Sequence, residues 1–501
     1  MYLSGLNIKS INLTFGQTKW IIIIELIYIL LVIAVYVRII WDTRSVSKTL
    51  AYLLLVTFVP IFGMAFYFSF GINYRKRKIY NKKLEIDHYL QKEFEIRRNE
   101  NIHRISVLQR SSIQDNRKLI HLLSTQKSEG SFVLPNSEIR LLNNGENLYP
   151  LMLDEIRKAK KHIHIEYYIY EDDVIGNELK DLLIQKAKEG VEVRFIYDDF
   201  GSKSIRRTIA KELKNAGVQA FPFHKIRLIL LANRLNYRNH RKIVIIDGET
   251  SFVGGINVCD KYINQSKNKL FWRDTHLMIK GYSSLALQWI FLSDWNFCSS
   301  EKIPVNSNYF PFHEIEDSEN LYAQIVSSGP DSDLPNILYA VIQAINLAQK
   351  EILLVTPYYI PDTSLQEALV IASLSGIDVK LLVPKDGDSK IVNIATQSFF
   401  EELLKAGARI YLYEKGFIHS KVFVIDGKLA SVGTANLDMR SFDLNFEVSA
   451  LIYDEQIATE VRSSFYDDLK NSVEITSEQW QQRTKIRQIG EKIMRLVSPF
   501  M

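Results

Sequence analysis

One pattern of residues occurs twice in this chain, and it restricts the available folds more than any other feature. The first occurrence is His240-Arg241-Lys242-Ile243-Val244-Ile245-Ile246-Asp247, followed by Gly254-Gly255-Ile256-Asn257. The second is His419-Ser420-Lys421-Val422-Phe423-Val424-Ile425-Asp426, followed by Gly433-Thr434-Ala435-Asn436. Both fit H-x-K-x4-D-x6-G-x2-N. The sequence upstream repeats too. Strand-like His162 to Ile169 matches Ile352 to Tyr359, and each follows a helical pattern. Gly190 to Ile196 matches Gly376 to Leu382, a turn glycine leading into a strand. Ala216-Gly217-Val218 matches Ala406-Gly407-Ala408. Corresponding points lie roughly 180 to 190 residues apart, far beyond any solenoid period. The expectation is an α/β domain written twice, with two copies packed about a shared site.

The repeated string also carries chemistry. Alternate residues of a strand face the same way. His240 and Lys242 therefore project together, as do His419 and Lys421, while the apolar run after them secures the strand. Asp-Gly then turns the chain. The return strand ends in small residues that allow close approach, and in Asn257 or Asn436. A lone histidine on a strand is usually an ordinary packed residue. Two matches at equivalent places in a repeated domain point instead to catalysis.

The N-terminal part is of another kind. Ile21 to Ile40 is an almost unbroken apolar run between Trp20 and Trp41, and Ala51 to Phe70 is a second. Each has about the 20 residues that a membrane-crossing helix needs. The expectation is a transmembrane hairpin within residues 1–78, with helices at about 20–41 and 50–70. Pro60 and Gly63 are tolerable in such a helix. The loop between the runs carries Arg44 and Lys48. After the second come Arg75, Lys76, Arg77, Lys78, Lys82 and Lys83. By the positive-inside rule this heavier cluster stays in the cytoplasm, and with it both termini and the large C-terminal part. The location expected is therefore the cytoplasmic membrane, with a multi-pass anchor. Residues 79–133 are charged and read as a helical connector. The two repeated domains then occupy 134–320 and 321–501.

Composition narrows the classes further. Lysine plus arginine number 62 against 57 acids, a net charge of +5, too small to argue for nucleic acid. Cys259 and Cys298 are the only cysteines and belong to no CxxC pair. A disulfide framework and a zinc site are not expected, and no cofactor motif or metal cage is recognisable.

These residues resemble the phospholipase D superfamily, whose signature is H-x-K-x4-D twice. Asn239-His240-Arg241-Lys242, the run Asn436 to Phe442, and Asn445-Phe446-Glu447 are similar to bacterial cardiolipin synthases. So are Ala51 to Leu54, Phe70 to Arg77 and Arg495 to Pro499. The chain departs at Gly255, where serine is common, and at Thr434. The resemblance implies two tandem phospholipase D-like domains, each a mixed sheet flanked by helices, around a pseudo-two-fold active site. It implies a two-step phosphatidyl transfer without cofactor. In it His240 is the nucleophile and His419 the general acid and base. Lys242, Lys421, Asn257 and Asn436 hold the phosphate oxygens. The expected reaction joins two phosphatidylglycerol molecules into cardiolipin and releases glycerol. Other acceptors, including water, stay open, because the motif does not encode the acceptor. A nuclease and an inactive membrane scaffold fit the membrane helices and the two intact motifs less well.

A catalytic imidazole needs its second nitrogen fixed by an acceptor. Asp274 lies downstream of His240, and Glu447 downstream of His419, so these two carboxylates are the expected orienters. Asp247 and Asp426 complete the motif and are counted with the catalytic set. Each falls at a strand–turn junction, where it could equally hold the turn or a neighbouring lysine. His162, His164, His224 and His276 read as packing or strand residues. Ile226 to Leu235 mixes apolar and basic residues, as a segment dipping into a bilayer would, and equally as a core helix would. Nothing in the sequence sets the oligomeric state.

Overall fold

A computed structural model describes residues 8–43, 46–71, 88–125, 131–223, 237–264, 270–299, 302–311 and 321–498. Arg44, the basic cluster Arg75 to Lys83, His224 and the segment Ile226 to Leu235 lie outside the described residues. The N-terminal helices form one unit, and the described residues from His88 onward form a second.

In the first unit, helix Ile8–Asp42 contains Trp20–Asp42, 23 residues long and strongly apolar, with Glu25 near one end and the paired Arg38 and Asp42 near the other. At about 1.5 Å per residue it exceeds the roughly 30 Å of a hydrocarbon layer. It is the one described helix with the length and apolarity of a membrane span. The single second helix expected over about 50–70 is broken. Helix Val46–Phe58 stops at Val59, Pro60 opens a short helix to Phe66, and Tyr67–Gly71 makes a π-type turn. Proline lacks the N–H that a continuing helix uses and drives the residue before it out of the helical region. Val59 accordingly sits at φ −136°, ψ 69°.

The second unit is built on one 15-stranded sheet. The first copy contributes β1 (Val133–Asn143), β2 (His162–Tyr167), β3 (Glu192–Asp198), β4 (Gln219–Phe223), β5 (Lys242–Ile246), β6 (Thr250–Gly254) and β8 (Thr275–Gly281). A short β7 (Phe271–Arg273) stands apart. The second copy contributes β9 (Leu321–Ser328), β10 (Glu351–Val355), β12 (Asp378–Pro384), β13 (Arg409–Tyr413), β15 (Val422–Ile425), β16 (Leu429–Gly433), β18 (Glu447–Ile452) and β19 (Ser472–Ile475). Short strands β11 (Tyr359–Ile360), β14 (Gly416–Ile418) and β17 (Leu437–Asp438) lie off the main sheet. From the centre outward the first copy runs β1-β8-β6-β5-β2-β3-β4, and the second runs β9-β18-β16-β15-β10-β12-β13-β19. The two halves follow the same path and join where β1 pairs antiparallel with β9. The family-like expectation of two mixed sheets is thus realised as a single continuous one. The motif strands β5 and β15 are buried along their whole length, which is why they read as unbroken apolar runs. Each copy keeps its own core, around Ile163, Phe195 and Val244 in the first and Ile352, Leu381 and Phe423 in the second.

The connector is helical over His88–Val107, Ser111–Gln114 and Arg117–Ser124. Its C-terminal half is more than a spacer. Ile113, Leu119 and Leu123 are buried in the second copy's core, and the Ser112 hydroxyl donates to the Tyr453 carbonyl at 2.9 Å.

The motif aspartates do not join the histidines. Asp247 sits five residues beyond Lys242, about 16 Å along a strand rising about 3.3 Å per residue. Its carboxylate accepts the backbone N–H groups of Lys160, Lys161 and His162 at 2.8, 2.7 and 2.9 Å. Asp426 does the same for Gln349, Lys350 and Glu351, each at 2.8 Å. Their φ angles, 56° and 54°, lie in the left-handed region that Asp tolerates better than most residues. Counting them as catalytic is therefore corrected: each ties the β5–β6 or β15–β16 hairpin to the start of β2 or β10. Asp247→Ala and Asp426→Ala should each cost about 2 kcal/mol of stability, read as a lower unfolding midpoint in detergent, while turnover per folded molecule is retained. Lost turnover at unchanged stability would return these residues to the catalytic set.

Candidate active site

The site forms where short segments of the two copies cross. Just before β5, the backbone pairs with the second copy: Phe446 N–H donates to the Arg238 carbonyl at 2.8 Å, and His240 N–H to the Phe446 carbonyl at 3.0 Å. Just before β15, β14 runs parallel to β7, and His419 N–H donates to the Arg273 carbonyl at 2.7 Å. Each histidine is thus bonded to the residue immediately before the other copy's candidate carboxylate.

Side chains repeat the crossing. His240 Nδ1 meets Glu447 Oε2 at 3.0 Å, and His419 Nδ1 meets Asp274 Oδ2 at 2.7 Å. Both expected orienting carboxylates are present, but each serves the opposite copy's histidine rather than the one upstream in its own. Spacing along the chain cannot express that exchange. Both carboxylates are fully buried, and both histidines nearly so.

Glu447 is held from several sides. Thr434 Oγ1 donates to Oε2, Asn445 Nδ2 donates to Oε1 at 3.1 Å, and the Val448 N–H bonds Thr434 Oγ1 at 2.9 Å. Thr434, a departure from the family pattern, therefore braces this carboxylate. At the equivalent Gly255 a Cβ atom would lie 2.1 Å from Asp274 Oδ1, so the absence of a side chain leaves room for Asp274. Asp274 Oδ1 instead accepts the Thr275 N–H at 2.7 Å.

Lys242 donates to the His240 carbonyl at 2.7 Å, and Lys421 contacts the His419 carbonyl and, at 2.9 Å, its Nδ1. Asn257 is already engaged: Oδ1 accepts the Ile169 N–H at 3.1 Å, and Nδ2 donates to the Tyr262 hydroxyl at 2.9 Å. That hydroxyl lies 3.5 Å from His419 Nδ1. Asn436 Nδ2 donates to Asp438 at 3.1 Å, while its buried Oδ1 has no partner among the described residues. Aromatic rings wall the histidines. Tyr168 stands edge-on to His240 at 4.8 Å, and Trp272 and Phe417 lie 5.8 and 5.9 Å from His419. Tyr168 and Tyr262 were not singled out from sequence, and Thr434 and Asn445 were noted there without a role, since each acquires its place only through the crossing.

His162 and His164 are packing residues as expected, both against Gln288 at 3.1 Å. His276 is buried behind the site. The x residue of the first motif has no counterpart in the second copy: Arg241 is buried in an ion pair with Asp294, whereas Ser420 bonds Thr275 at 3.0 Å.

The electrostatics are those of a site made for an anion. Burial lowers Lys242 to about 7 and Lys421 to about 8, against the pull of Glu447 and Asp274. Burial also lowers His240, and it holds His419 well below the ordinary value with Lys421 and Lys242 adding repulsion. Burial raises Asp274, whereas for Glu447 the effect of burial is outweighed by His240 and Lys242 and the pKa falls. An entering phosphate would raise both lysines again and favour their charged forms.

Two predictions follow from this geometry. Glu447→Gln and Asp274→Asn should each lower kcat on the order of 100-fold or more by releasing the histidine that the carboxylate holds, measured with lipid substrate in mixed micelles. Tungstate, which does not titrate between pH 6.5 and 9, should bind more tightly as pH falls through that range, because Lys242 and Lys421 gain their protons there. Calorimetry on Lys242→Met should show a flatter pH dependence.

The model of the "cardiolipin synthase, PLD-like domain" family matches residues 152–284 and 341–469, and that of the phospholipase D-nuclease N-terminal family matches 29–71. "Cardiolipin synthase 2" of Bacillus anthracis is 42% identical over 92% of this chain and 88% of its own length. "Major cardiolipin synthase ClsA" of Bacillus subtilis is 42% identical over 96% of this chain and 99% of its own. Among solved structures, the phosphatidylserine synthase of Haemophilus influenzae superposes with a TM-score of 0.58, at 14% identity, over 77% of this chain and all of that one. At that identity the likeness concerns the fold alone.

Proposed function

The chain belongs to the cardiolipin synthase family of the phospholipase D superfamily and is a phosphatidyltransferase, and on that premise we propose that its donor and acceptor are two phosphatidylglycerol molecules, converted to cardiolipin and glycerol. The observation that carries the reading is the pair of histidines, each with Nδ1 held by the other copy's carboxylate. In each ring that leaves Nε2 as the nitrogen for chemistry.

His240 Nε2 attacks the donor phosphorus. A P–N bond forms, the P–O bond to glycerol breaks, and His419 as imidazolium gives its proton to the leaving glycerol oxygen. His419, now neutral, takes the proton of the acceptor's glycerol hydroxyl. That oxygen attacks phosphorus, the P–N bond breaks, and both histidines return to their starting states. Lys242 and Lys421 neutralise the non-bridging oxygens as charge builds. The depressed His419 pKa fits this cycle. The bound phosphodiester raises it again, so His419 becomes an acid only when a substrate is there to be protonated. Asn257 keeps Tyr262 beside His419, and Asn436 would hold a phosphate oxygen from the second copy.

The membrane association of the N-terminal helix extends, in this reading, to a two-pass anchor. The broken segment from Val46 to Gly71 returns the chain to its starting side, and the lysines and arginines from Arg75 onward keep the catalytic unit cytoplasmic.

The test is a vesicle assay with labelled phosphatidylglycerol and a metal chelator, comparing the wild type with His240→Ala and His419→Ala. Cardiolipin and glycerol should form with the wild type, and each variant should lose about 1,000-fold or more. Phosphatidic acid as sole product would make the enzyme a hydrolase, and no turnover would assign it another donor or acceptor.

A further inference from the structure

The helix Lys485–Val497 near the end of the second unit faces the wrong way for a soluble protein. Its apolar side chains repeat at helical spacing, and that stripe points outward. Ile486 is 84% exposed, Ile489 58%, Ile493 54% and Leu496 78%. An amphipathic helix on a globular surface normally turns such a stripe to the core. Here the polar side is the one fastened to the body. Glu491 is buried and meets Arg483 at 3.0 Å and Arg487 at 3.3 Å, and Arg495 pairs with Glu402 through two nitrogens at 2.8 and 3.1 Å. Arg487 also donates to Gln397, at the end of helix Lys390–Gln397, at 2.8 Å. These charged contacts fix the outward orientation, because rotating the stripe inward would break them and strand a buried carboxylate.

We propose that this outward stripe is a second membrane contact, a helix lying in the headgroup layer of a bilayer that contains anionic lipid. Three observations select that occupant. The exposed Lys485 and Lys492 border the stripe, as the basic edge of an interfacial helix does. The chain already carries an apolar helix long enough to enter a membrane. The catalytic unit acts on phospholipids, which places its working surface at a bilayer; the inference rests on that reading. The contact sets the height of the catalytic unit on the membrane independently of the N-terminal anchor.

The experiment uses the full-length protein in vesicles of phosphatidylglycerol and phosphatidylcholine. An environment-sensitive fluorophore is attached at Ile489→Cys or Ile493→Cys, with signal from Cys259 and Cys298 subtracted using the labelled parent. Nitroxide-bearing lipids serve as quenchers. Quenching at both positions should exceed that at Thr459→Cys, an exposed site on helix Glu455–Leu469, by at least fivefold. It should fall by half or more when Lys485→Glu and Lys492→Glu are added or when phosphatidylcholine is the sole lipid. Quenching no greater than at Thr459→Cys would overturn the proposal. So would energy transfer between labelled copies at Ile493→Cys that persists on dilution into excess lipid, which would give the face to a second copy of the chain. The readout is position rather than turnover, so a failure to convert phosphatidylglycerol would leave this result standing or falling on its own.

Discussion

The histidine–carboxylate exchange between the two copies is the contact on which the rest of the catalytic unit depends. Glu447 meets His240 and Asp274 meets His419 across the copies, so neither copy holds a complete histidine–carboxylate pair. The joined sheet supplies the rigidity that this needs. β1 and β9 fuse the halves, and β8 and β18, which open with Thr275 and Glu447, sit next to that seam. Backbone bonds from His240 to Phe446 and from His419 to Arg273 then set the register at the crossing itself. An orientation error of an ångström at a reacting group is costly, and hydrogen-bonded strands limit such errors better than loops.

The same crossing concentrates charge. Two lysines and two imidazoles face two carboxylates in a buried space, and burial lowers the pKa of all four bases, bringing Lys242 to about 7 and Lys421 to about 8. A phosphodiester supplies the missing negative charge and returns protons to the groups that need them. In the proposed mechanism binding and activation are one event, since the substrate's own charge would prepare its acid. The two halves are similar but unequal: Thr434 braces Glu447 whereas Gly255 only makes room, and the carboxylates' pKa values move in opposite directions.

Much of this was legible in the sequence. The doubled motif carried the fold class and the pairing of His240 with Lys242 and His419 with Lys421, because strand periodicity is local. The role of Asp247 and Asp426 was half legible: the Asp-Gly turn could be read, but not the three N–H groups that converge on each carboxylate from a segment some 80 residues away. Which carboxylate faces which histidine was not legible, since it depends on how two copies cross. The break at Pro60 was visible as a residue, though an apolar run does not say whether its neighbours will restore the lost hydrogen bond. The outward stripe of Lys485–Val497 was equally hidden, because periodicity shows that a helix has an apolar face and not where that face points.

The central claim is that one composite site transfers the phosphatidyl group through His240, with His419 managing the protons. The most direct measurement is mass spectrometry of the His419→Ala enzyme, quenched in base after incubation with a phosphatidyl p-nitrophenyl ester, whose leaving group departs without the proton that His419 gives to glycerol. A phosphatidyl adduct should accumulate on the peptide containing His240, because the histidine that activates the acceptor is gone. No adduct in this variant, with one appearing instead on His419 in His240→Ala, would contradict the account.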